Sequence, residues 1–146
     1  MREYLFRAKT EPCSKDAISG KIELKPKWVY GYIDLGYMQD EKGAIISDEK
    51  AHSAYRCQYS TIGQYTGLKD KNRKRIFEGD FVEAVLPPSI SQPSFVWPIM
   101  PVVFRDGVFG LQDQRGGVTT LKSFAPTVTF EVKGNVHDNP ELLKEE

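Results

Sequence analysis

At 146 residues, with 40% hydrophobic and 27% charged residues, the chain has the composition of one globular domain and not of a disordered segment. Its 20 basic and 20 acidic residues cancel, which argues against a dedicated nucleic-acid binder, because phosphate contacts draw on a basic excess. Two cysteines, Cys13 and Cys57, lie outside any CxxC pair, so a disulfide-rich scaffold is excluded and both read as reduced thiols of a cytoplasmic protein.

The opening Met1–Arg7 is charged at once, so a signal peptide is not expected. No apolar run approaches the ~20 residues of a membrane span. Aromatics at 12%, with many Val and Ile, favour pleated sheets, and 12 Gly and 9 Pro interrupt any long helical pattern. Arg2–Ala8 alternates as a first strand, and a polar loop follows through Gly20. Lys21–Leu24 reads as a short strand ended by Pro26. Trp28–Leu35 carries large groups on both faces, which suits the middle of a barrel or sandwich. Within it, Gly31 marks a bulge or a close backbone approach.

Asp40–Gly43 is a turn, Ala44–Ser47 a short strand, Glu49–His52 a polar linker and Tyr55–Tyr59 a further strand. Ile62–Val85 forms a hairpin that turns at Lys71-Asn72-Arg73, where Asn72 tolerates positive φ, and a strand over Phe81–Leu86 follows Glu78-Gly79-Asp80. Pro87–Pro101 is too rich in proline for a central strand and reads as an extended arm. Val102–Leu111 is a hairpin about Asp106-Gly107, Gly116-Gly117 turns into Val118–Phe124, and Thr127–Val136 alternates strictly with Val128, Phe130 and Val132 inward. Asn139-Pro140-Glu141 has the cap, the proline and the acid of a helix start, so a short C-terminal helix is expected to tuck Leu142 and Leu143 inward.

Four stretches together carry a family resemblance. Gly63-Gln-Tyr-Thr-Gly-Leu-Lys-Asp-Lys-Asn72 followed by Ile76-Phe-Glu-Gly-Asp-Phe-Val82 resembles the signature of the YopX family of phage and prophage proteins. Arg2–Ala8, Trp28–Gly31 and the closing Gly134-Asn-Val-His-Asp-Asn-Pro-Glu-Leu-Leu143 are similar to that family's other anchors, in the same order. The resemblance implies a mainly-β fold and a phage or prophage setting, hence the cytoplasm of a bacterial host, and it brings no catalytic residues with it. The chain departs from the family pattern at Arg73, where Gly often follows the turn Asn, and in its longer, more aromatic Pro87–Pro101 segment.

The residues offer few sites. Lys69, Lys71, Arg73, Lys74 and Arg75, with Asp70 the one acid among them, suit a phosphate backbone, with Tyr65 or Phe77 to stack on bases. The plainer reading is a solvated hairpin tip that keeps a sheet edge from pairing. Glu78 and Asp80, with Asp70 across the hairpin, are paired acids of the kind that hold a metal or move a proton, yet Gly-Asp is also a common way to turn into a strand. His52, His137, Cys13 and Cys57 lack the short spacings of a zinc site. Phe95, Trp97, Ile99 and Met100 are either an interface anchor or an arm folded back on its own sheet, and both readings stand at this point.

The sequence thus predicts one mainly-β domain over residues 1–146, a strongly curved or barrel-like antiparallel sheet with a short C-terminal helix. Neither a cofactor nor a metal is expected, and the protein is expected to be non-enzymatic, binding a host or phage protein or its own copies. The alternatives are a nucleic-acid-binding hairpin at Lys69–Arg75 and a hydrolase using Glu78, Asp80 or a Cys–His pair.

Overall fold

Antiparallel β-sheets account for nearly all regular structure in the computed structural model, which describes residues 4–11, 14–15, 22–23, 25–34, 43–50 and 53–144. The fold is mainly β, and the helical pieces among the described residues are short 3-10 turns. The chain forms two compact units, Met1–Tyr65 and Thr66–Glu146.

In the first unit β1 (Phe6–Lys9), β4 (Trp28–Ile33), β5 (Gly43–Asp48), β6 (Ala54–Gln58) and the start of β7 (Gly63–Lys69) form one sheet in the order β6-β5-β4-β1-β7. A small pair, β2 (Ser14–Lys15) with β3 (Ile22–Glu23), lies between β1 and β4 in the chain. The core is Ala8, Val29, Ile46, Tyr55 and Cys57, with Ile33 and Ile62 packed against it. Full burial of a side chain like Ile46 stabilises by about 1.5–3 kcal/mol. The alternation expected for β1 is broken, because Leu5, Arg7 and Ala8 are all buried. Arg7 tolerates this by laying its guanidinium over the Trp28 ring at 4.6 Å, a cation–π contact suited to a poorly hydrated site. Of the two readings of Gly31, a bulge or a close backbone approach, the structure shows the second, since a Cβ there would run into the backbone of Ser47.

The second unit begins within β7, which turns at residues 70–74 into β8 (Arg75–Phe77). The remaining strands are β9 (Asp80–Leu86), β10 (Phe95–Val96), β11 (Met100–Arg105), β12 (Val108–Gln112), β13 (Val118–Thr120) and β14 (Thr129–Asn135). β14 runs along one edge of β9 from Thr129↔Val85 to Asn135↔Asp80. The other edge of β9 is followed by β10 and β11 in one interrupted line. Val96 faces Val85, Trp97 N–H donates to Ala84 O at 3.0 Å, and Met100 faces Val82. This step from Val96 to Met100 uses one residue more than β9 supplies, so Trp97–Ile99 forms a bulge. β12 and β13 extend the sheet beyond β11. Ile76, Val82, Ala84, Met100, Val102, Leu111, Leu121 and Val128 make the core.

Three expectations are corrected here. The proline-rich arm does enter the sheet interior, because Pro101 lies in β11 between β9 and β12. It is tolerated because the ladder to β12 starts only at Val102↔Leu111, where an N–H is next required. The C-terminal helix is a 3-10 turn, Pro140–Lys144. Asn139 does not cap it: its Oδ1 reaches back to accept from Asn135 N at 3.2 Å, and five residues are too few to nucleate an α-helix. In the β7–β8 turn, positive φ falls on Arg73 (66°) and not on Asn72. The Asp106-Gly107 turn is as expected, with φ of 53° and 82° in the manner of a type I′ hairpin.

Candidate binding cleft

Met100 and Trp97 are positioned by the bulge just described. Met100 turns into the core, while Trp97 lies half-buried with its ring edge-on to Phe95 at 4.8 Å and to Phe124 at 5.2 Å. Phe124 continues the series to Phe130 at 5.4 Å. The Trp97–Phe124 stack joins the arm to the rest of the unit, and such a perpendicular pair adds about 0.5–1.5 kcal/mol beyond area burial. Phe95 stays half-exposed at 52%, so the arm is docked at one end and open at the other.

Beside it opens a cleft of about 890 Å³, walled by Trp97–Pro101, by residues 112–115 and by Leu142 and Leu143 of the C-terminal turn. The far wall is stiff. Asp113 Oδ1 accepts from Arg115 N and Gly117 N, both at 2.9 Å, and Arg105 Nη1 donates to Gly116 O at 2.9 Å. Arg115 is exposed at the rim. A largely apolar floor with a cation at its edge can take an apolar side chain and orient an acidic neighbour. Sequence reasoning had Trp97, Ile99 and Met100 but not Gln112–Arg115, whose only local signal was the Gly116-Gly117 turn.

The other candidates fall in different places. Lys69, Lys71, Arg73 and Lys74 are exposed on the hairpin turn and Arg75 is half-buried. Asp70 is buried beneath them, with Oδ1 accepting from Asn72 N at 2.8 Å and Lys74 N at 2.9 Å, and Oδ2 from Val132 N at 3.0 Å. Lys71 N donates to Phe130 O and its ammonium pairs with Glu131, which Lys133 also contacts at 3.0 Å. Hydrogen bonds from Lys71 and Lys133 hold the Glu131 carboxyl below the usual carboxylate range. The intended stacking partners, Tyr65 and Phe77, are buried.

Asp80 is buried too, its Oδ2 accepting from Phe77 N at 2.8 Å, so Gly79-Asp80 does the turning that its sequence suggested. Among the described residues no three His, Cys, Asp or Glu side chains converge as a metal site. Cys13 and His52 lie outside the described residues.

Cys57 is fully buried, and desolvation first, then the charge of Glu11, pushes its thiol up to about 12. Little thiolate therefore forms at neutral pH. In a Cys13→Ser variant, Cys57 is expected to resist a thiol reagent at pH 8 until the protein unfolds, and rapid labelling of the native protein would contradict this burial. The raised folded value leaves stability flat below the ordinary thiol range near 9.0. Above that the unfolded chain loses its proton first, and stability falls by about 1.4 kcal/mol per pH unit towards the folded value.

The fold and cleft thus define a mainly-β protein of antiparallel sheets with an apolar recess in its second unit. The model of the YopX protein family matches residues 6–144, and the chain belongs to that family. Among solved structures it is similar to protein EF1440 from Enterococcus faecalis, at 21% identity and a TM-score of 0.45, over 98% of this chain and 99% of that one. No curated protein matches the chain. Among the described residues, no helix is long and apolar enough to cross a membrane.

Proposed function

We propose that this YopX-family member is a non-enzymatic binding module that acts in a phage or prophage setting by seating an apolar segment of a protein partner in the cleft. The observation that carries this reading is the recess itself, where Trp97, Ile99, Leu142 and Leu143 line a space that the described residues leave open. Its walls are preorganised by the aromatic stacks and the Asp113 turn, which lowers the ordering cost of association. The partner is another protein or a second copy of this chain.

The test compares wild type with Ile99→Asp and Leu143→Asp, and with Phe104→Asp, whose exposed ring stacks on Phe109 away from the cleft residues. Affinity capture from host cells and light scattering supply the readouts. A partner or oligomer kept by wild type and Phe104→Asp but lost from both cleft variants is the expected result. Partners retained equally by all four proteins, or a strict monomer that captures nothing, would remove the proposal.

A further inference from the structure

A second surface carries an inference of its own, independent of the cleft. We infer that the β7–β8 hairpin tip binds the phosphodiester backbone of duplex nucleic acid through Lys69, Arg73 and Lys74. The tip's one acid, Asp70, is turned inward onto three backbone N–H groups, so its charge does not face the cations above it. Lys71 is occupied by Glu131. Lys69, Arg73 and Lys74 are exposed and make no ion pair among the described residues.

The presentation is also fixed. Asp70 N donates to Lys74 O at 2.8 Å and Arg73 N to Asp70 O at 2.9 Å, while Lys71 N ties the turn to Phe130 O at 2.8 Å. Arg73 is held at a φ of 66°, a conformation that glycine adopts without penalty. Arg73 is exposed at this point of the turn, so its guanidinium is open to an anion in solution.

The same geometry decides which nucleic acid is favoured. Single strands are gripped largely by stacking on exposed aromatics, and Tyr65 and Phe77 on the flanking strands are buried. Contact is therefore with phosphates, without base readout. Three phosphate contacts give a slope of log K against log salt of about −2.7 on a duplex.

The experiment is fluorescence anisotropy with a labelled duplex of mixed sequence, its single strand, and polyglutamate of similar charge, each over a salt series. Arg73→Gly is the informative variant, since it removes the cation while relieving the backbone. A duplex slope near −2.7 is expected in wild type, with a slope smaller by about 0.9 in Arg73→Gly. Binding is expected to be lost when Lys69, Arg73 and Lys74 are all replaced, by Ala, Gly and Ala. An unchanged slope in Arg73→Gly, binding by the triple variant, or equal affinity for the single strand or for polyglutamate would overturn the assignment. Failure of wild type to bind the duplex at low salt would do the same, and none of these outcomes bears on the cleft.

Discussion

Replacing Asp70 with alanine is expected to lower the unfolding free energy by about 3 kcal/mol. Its carboxylate is the common acceptor for Asn72 N, Lys74 N and Val132 N, so one side chain both shapes the turn and fastens it to β14. Each hydrogen bond to a charged acceptor contributes about 1.5–3 kcal/mol, and the two donors nearest the surface recover part of this from water. The Asp70→Asn variant keeps one acceptor oxygen but turns an NH₂ towards the other donors, so about half the loss is expected from it. Urea unfolding of both variants measures this, and a loss under 1 kcal/mol in the alanine variant would show that the turn holds without its central acceptor.

The second large effect is expected at Gly31. An alanine Cβ there would overlap the carbonyl of Ser47, which is backbone and cannot rotate away, so β4 and β5 would have to part. The loss expected is about 3–5 kcal/mol, at the severe end for a single methyl group. Gly67→Ala is the natural comparison. Its φ is +88° but nothing lies within 4 Å of the added atom, so only local strain of about 1 kcal/mol is expected. Equal losses at the two positions would mean that backbone conformation, not strand approach, sets the cost at Gly31.

These two sites show what was legible in the sequence. Gly31 inside an aromatic strand announced a bulge or a close approach, because glycine in a strand is costly unless the backbone needs the freedom or the space. The Asp106-Gly107 turn and the β9 strand were equally open to local reading, since their determinants are neighbours in the chain. Asp70 was not legible in the same way. Its role depends on Val132, sixty-two residues away, and locally it looked like an interruption in a basic run.

The same limit applies to the arm. Proline counts argued it out of the sheet interior, yet which ladder requires an N–H at Pro101 is a question of register, which composition does not contain. The cleft was half legible. Trp97, Ile99 and Met100 stood out as apolar residues among prolines, whereas the 112–115 wall is polar and ordinary in sequence. Two of the stretches that carry the family resemblance, Ile76–Val82 and Gly134–Leu143, meet in the second unit, where Gly134↔Phe81 and Asn135↔Asp80 pair and Val136 N donates to Gly79 O at 2.8 Å. Their pairing is a matter of how β9 and β14 are held together, and that says little about what the protein binds.

The hairpin turn has one more consequence, for how the molecule behaves in a crowd. At zero formal net charge and a pI of about 6.7, copies of this protein gain little mutual repulsion near neutral pH. An uncovered strand would then be an invitation to stack copy upon copy into fibrils. On β14 the outward N–H of Val132 and the outward carbonyl of Phe130 are already taken, by Asp70 and by Lys71 N. Shielding against aggregation is thus built from chain geometry where charge does not supply it.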